Sequence, residues 1–80
     1  SAEWPYRSKL VKLATKISSQ IGRIEYVLLR IKKKRAFFFA AGGASILSST
    51  TQADGFLLTE EESEGFAEGE EVRAWLYDEY

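Results

Sequence analysis

This 80-residue chain contains no cysteine and no histidine. Without cysteine there is no disulfide framework and no thiolate metal site, and the redox state of the compartment leaves no mark. Without histidine the usual Ser-His-Asp and Cys-His nucleophilic arrangements are excluded, together with most zinc sites. Long apolar runs are also missing. The longest, around Ala36–Ala41, is far too short to span a bilayer. The first residues, Ser1-Ala2-Glu3-Trp4-Pro5, lack the apolar core of a signal peptide and do not begin with Met. An intracellular fragment of a larger protein is therefore expected, located in the cytoplasm.

What is present suffices for one small domain. A chain of this length buries roughly 60–65% of its unfolded surface, so its stability should be modest. Hydrophobic residues make up 45% of the sequence and eleven residues are aromatic, enough to form a core. Net charge is −1, yet the halves are opposite in sign. Residues 1–35 carry ten Lys or Arg and two Glu, whereas residues 36–80 carry one Arg and ten acids. Strands from the two halves lying side by side would place opposite charges across a sheet. A basic face for an anionic ligand is the alternative. The near-neutral total argues against a dedicated nucleic-acid binder.

Two periodicities compete in the first half. Leu10, Ala14, Ile17, Ile21, Ile24, Leu28 and Ile31 recur at helical spacing with lysines opposite, the pattern of a basic amphipathic helix for a membrane or partner groove. Alternation gives strands instead. Val11, Leu13, Thr15 and Ile17 share one face, and Ile24, Tyr26, Leu28 and Arg30 share another, with Glu25, Val27, Leu29 and Ile31 opposite. Strands are favoured because Ser18-Ser19-Gln20 and Gly22 interrupt the helix, the glycine alone costing roughly 1 kcal/mol. The β-branched and aromatic residues of Ile24–Ile31 also suit a pleated surface covered on both sides.

Lys32–Arg35 reads as a solvated turn into a strand over Ala36–Ala41, its lysines guarding the edge beside Phe37-Phe38-Phe39. Gly42-Gly43 turns a corner into one or two helical turns over Ser45–Gln52. Asp54-Gly55 ends them, with Gly55 expected at positive φ. Phe56–Thr59 is a strand, Glu60–Glu64 an acidic loop, Gly65–Gly69 a turn, and Glu71–Tyr77 the last strand, with Val72, Ala74 and Leu76 on one face.

Four motifs in order carry a family resemblance across residues 9–77: Gly22-Arg23-Ile24-Glu25-Tyr26, the run Gly42–Ser49 ending in Leu-Ser-Ser, Ala53-Asp54-Gly55-Phe56, and Gly69-Glu70-Glu71-Val72. The chain resembles the C-terminal domain (domain IV) of MoeA-type molybdopterin molybdenumtransferases, the family that includes the E domain of gephyrin. The resemblance implies a mostly β fold, a β-clip or small bent antiparallel barrel-like domain with one short helix. It implies that residues 1–80 are one domain of a multidomain enzyme that inserts molybdate into adenylylated molybdopterin and releases AMP. That parent would work as a homodimer and use magnesium held in a different domain.

Within this chain the resemblance places Arg23 at a cleft shared with a neighbouring subunit, where its planar fork of donors suits phosphate or carboxylate. A salt bridge to an acid such as Glu70 is the structural alternative. Ser45, Ser48 and Ser49 behind two glycines would offer hydroxyls and backbone N–H groups to an anion, or else cap the helix. The family's usual serine is Ala44 here, with the hydroxyl shifted to Ser45. The sequence nominates no catalytic residue, no bound cofactor and no metal site, since Asp54 and the Glu60–Glu64 run lack a calcium-loop pattern. The isolated domain is expected to be inert, contributing a cleft wall, with no nucleic acid or membrane as partner. An interaction module displaying Phe37–Phe39 or Trp75 is the second reading. Trp4, Tyr6, Trp75 and Tyr80 are expected to plug the core or touch a subunit.

Overall fold

A computed structural model describes residues 6–19, 21–47 and 52–77. Seven strands appear in it: β1 (Arg7–Leu13), β2 (Ile17–Ser18), β3 (Glu25–Lys32), β4 (Arg35–Gly42), β5 (Gly55–Thr59), β6 (Gly65–Phe66) and β7 (Glu71–Leu76). Five close into a ring in the order β1-β4-β3-β5-β7, and β2 with β6 forms a separate two-stranded sheet. The mostly β fold with barrel-like closure agrees with expectation, and the described residues between 10 and 31 form strands β1, β2 and β3 with turns between them and no helix.

The longest strand, β3, lies between β4 and β5 and is apolar on both faces. Val27, Leu29 and Ile31 point into a core shared with Val11, Leu13, Leu57, Val72 and Ala74. Leu28 and Tyr26 point the other way, into a second cluster around Phe56. That cluster is aromatic. Tyr6 meets Phe56 edge-on at 5.1 Å, while Tyr26 and Tyr77 tilt against Phe56 at 5.8 and 5.5 Å. Each such pair adds about 0.5–1.5 kcal/mol to its burial. Tyr6 and Trp75 are thus core plugs as expected. Trp4 and Tyr80 lie outside the described residues.

The β3–β4 hairpin turns on Lys33 and Lys34, with Lys32 opposite Arg35. Both lysines have positive φ, +53° and +69°. This is the geometry that Asn-Gly normally serves in a two-residue hairpin, and an ordinary L residue there costs about 1–2 kcal/mol. Further along, Leu28 faces Ala40 but Leu29 faces Phe38, so Phe39 is an extra residue in β4. Such a bulge increases local twist and helps a small sheet to close.

Closure is completed by one parallel contact, β1 on β4, over Lys12↔Arg35 and Leu13↔Ala36. The remaining ladders are antiparallel. The fully antiparallel ribbon expected from the sequence therefore has one parallel seam. The alternation through Val11, Leu13, Thr15 and Ile17 is also corrected. Strand β1 ends at Leu13, because Ala14 N–H donates to Ala36 O at 2.8 Å and turns the chain. Ile17 returns to the core from β2, and Thr15 is exposed.

Asp54-Gly55 does not end a helix. Gly55 lacks the expected positive φ. It is glycine because a Cβ there would overlap the carbonyl oxygen of Trp75 on β7. Asp54 joins three strands around that contact. Its N–H donates to Leu29 O at 2.8 Å and its carbonyl accepts from Tyr77 N–H at 3.1 Å. Its carboxylate accepts from Ile31 N–H at 2.7 Å and pairs with Arg30 at 3.5 Å. Of the helical stretch expected over Ser45–Gln52, the described residues show one 3₁₀ turn, Ala44–Ile46. Residues 48–51 lie outside the description. Part of the expected Gly65–Gly69 turn is strand β6, paired with β2 through Ile17↔Phe66 and Ser18↔Gly65.

Candidate functional site

Arg23 enters the fold on a turn that Gly22 makes possible. Gly22 has φ +93°, a conformation L residues avoid, and its N–H donates to Glu61 O at 2.6 Å. The acidic loop is thereby fixed against the entrance to β3, with Ser19 Oγ donating to Ser63 O at 2.9 Å. Behind Arg23 the start of β3 is locked by Thr59, a buried polar residue. Its Oγ1 accepts from Glu25 N–H at 3.0 Å and its hydroxyl donates to Glu25 O at 3.3 Å.

The Arg23 guanidinium pairs with Glu25 at 3.7 Å, and its side chain is 62% exposed. This is longer than the 2.7–2.9 Å of a charge-assisted hydrogen bond, and an exposed pair of this kind contributes about 0.2–1 kcal/mol. The remote acid considered for this role, Glu70, is used locally: its Oε1 accepts from Ala67 N–H at 2.9 Å. This pairing is with an acid two residues along the same strand entrance.

Ser45 sits in the middle of the 3₁₀ turn, exposed. The turn's N-cap is Gly43, with no side-chain cap, so Ser45 does not serve the capping role considered for it. Ser48 and Ser49 lie outside the described residues. Tyr26 faces Gly42 across the β3–β4 ladder. The turn after Gly42 and the Arg23 segment before Glu25 therefore occupy the same end of the barrel. Sequence reasoning did not find Thr59, because its role depends on a register that pairs it with Glu25.

Charge is organised by these pairings in part. Lys12 lies opposite Glu71, and Arg30 pairs with Asp54, joining basic and acidic halves. Where β5 and β7 diverge beyond Phe56↔Trp75 there is a groove of about 460 Å³ edged by Glu60, Glu70 and Glu71 with Arg73. Its sign is wrong for an anion. Among the described residues no three His, Cys, Asp or Glu side chains converge as metal ligands. No helix among them is long and apolar enough to cross a membrane.

Residues 11–77 match the family model of the MoeA C-terminal region (domain IV). The chain belongs to this family. It is 33% identical to the molybdopterin biosynthesis moeA protein of Pyrococcus horikoshii OT3, with a TM-score of 0.75 over 90% of this chain. It is 30% identical to a molybdenum cofactor biosynthesis protein of Pyrococcus furiosus, with a TM-score of 0.75 over 95% of this chain. The match spans 19% and 27% of those two chains, so the domain corresponds to a minor part of each. No curated protein sequence matches.

Proposed function

We propose that this domain IV is the C-terminal part of a molybdenum cofactor biosynthesis enzyme and forms one wall of the cleft in which molybdate is inserted into adenylylated molybdopterin. The observation that carries this reading is the position of Arg23. It is an exposed guanidinium on a glycine-shaped turn whose backbone is fixed by Thr59 and by the Gly22–Glu61 hydrogen bond. A fixed turn with an exposed planar cation suits an anionic group supplied from outside the domain.

Ser45, on the 3₁₀ turn at the same end, is the second contributor, with Ser48 and Ser49 following it in the chain. Among the described residues no nucleophile has a base beside it, and the reading assigns chemistry and magnesium to other domains of the parent, a cytoplasmic homodimer. The described residues offer no ligand set for magnesium. Alone, the domain is inert.

The test is Arg23→Ala in a full-length protein carrying this domain. Molybdate-dependent cofactor formation should fall about 10- to 100-fold in kcat/KM, equivalent to about 1.4–2.7 kcal/mol, with Tm little changed. Unchanged kinetics would refute the role of Arg23. A second reading, an interaction module, is favoured by one observation. Phe37, Phe38 and Phe39 are 40, 51 and 42% exposed on β4, a strand that meets β1 only at its first two residues.

A further inference from the structure

The tip of the β3–β4 hairpin combines an unfavourable backbone with a concentration of positive charge. Lys33 and Lys34 both hold positive φ, where Asn-Gly would be at ease. Backbone outliers of this kind recur at binding sites, where surrounding structure maintains them. Here the surrounding structure is β1, since Lys12 N–H donates to Lys34 O at 2.9 Å. That bond draws β1 beneath the hairpin and sets Lys12 in register with Arg35.

The result is a recess of about 210 Å³ lined by Leu10 and Val11 with Lys12, Lys33, Lys34 and Arg35, and with Glu71 as its one carboxylate. Among the described residues no carboxylate oxygen lies within 4.0 Å of any of the four cations. Arg35 is positioned by Phe37, its guanidinium carbon 5.5 Å from the ring centroid, a stacking that leaves the N–H edges available. Solubility and protection of a strand edge need only charge, which Lys32 and Arg35 supply even around an Asn-Gly turn. They do not require two lysines in a left-handed turn or a third lysine brought under them.

We propose that this recess binds a diphosphate group. Four cations against one carboxylate call for a ligand with several negative charges and many acceptor oxygens. The volume lies below the 300–1,000 Å³ typical of drug-sized ligands, so it admits a phosphate chain and leaves any attached organic group outside. The site is at the opposite end of β3 from Arg23, roughly 23 Å away at about 3.3 Å per residue, and does not depend on the function proposed above. The lysines are exposed, so the affinity weakens as salt is added.

The decisive experiment titrates the ¹⁵N-labelled chain with inorganic diphosphate at low ionic strength, with sulfate at matched ionic strength as the comparison. Saturable shifts are expected at Lys12 and Lys33–Arg35, with diphosphate bound at least about tenfold more tightly than sulfate. The double variant Lys33→Asn/Lys34→Gly gives the turn its preferred residues. It should remain folded, melt higher and lose at least about tenfold in diphosphate affinity. Lys12→Gln should also weaken binding without touching the turn. Adenosine diphosphate as a second probe separates the sources: equal affinity points to a diphosphate carried on a larger molecule, weaker affinity to the free anion. Equal response to sulfate, shifts centred on Arg23, or undiminished binding by the double variant would each overturn the proposal.

Discussion

The two ends of the β3–β4 ribbon meet the same backbone demand with opposite residues. At the entrance to β3 the chain needs a positive φ and uses Gly22, beside one arginine paired with Glu25. At the hairpin the chain needs two positive φ values in a row and uses Lys33 and Lys34. One end is relaxed and carries a single cation. The other is strained and gathers four cations around a recess. A positive patch that only kept the protein soluble would be made at the least backbone cost. The difference teaches that side-chain identity at the hairpin outweighs local stability.

Substitutions can break or sharpen this contrast. The largest effect should come from the belt between the ends: Gly55→Ala drives a methyl group into the Trp75 carbonyl and should destabilise by about 3 kcal/mol, read by chemical denaturation. Next is Lys33→Asn/Lys34→Gly, which should stabilise by about 2 kcal/mol, or roughly 10 °C in Tm for a domain of this size. Gly22→Ala should act in the opposite direction and cost about 1 kcal/mol, because space is available but the φ is wrong. If the two hairpin replacements destabilise and Gly22→Ala does not, the contrast between the ends is false.

The smallest effect concerns Tyr77, whose hydroxyl is buried without a hydrogen-bond partner among the described residues. Burial, and secondarily Tyr6, raises its pKa above 10.0. The unfolded chain therefore ionises first, and this contribution to stability is complete below pH 10 and declines as pH rises beyond it. Tyr77→Phe should change stability at pH 7 by less than about 1 kcal/mol and flatten the alkaline decline. A steeper alkaline decline in the variant would refute this assignment.

Strands β3, β4, β5 and β7 were legible because each carries a run of β-branched, aromatic or alternating residues long enough to show its period. Strands β2 and β6 were not, since two residues have no period, and they exist only because the chain bends after Leu13. Gly55 was legible as a necessary glycine but for the wrong reason. A close approach from β7 leaves no trace in the residues around Asp54, whereas a turn does. Arg23 was correctly placed at the mouth of β3. Its pairing with Glu25 was not read, because the charge asymmetry pointed across the molecule while Glu25 was within reach two residues on. Ser45 was read as a cap on a helix that the chain does not build in the described residues.

Tyr6 and Tyr77 stand edge to face with ring centroids 6.0 Å apart. The path from one to the other visits all seven strands and returns to its starting point. Topologically the domain is a closed excursion, a loop of chain that leaves and rejoins a single location. A module of this kind needs one point of attachment in a larger protein. Its ring of strands can be carried by differently arranged neighbours without a ladder being redrawn.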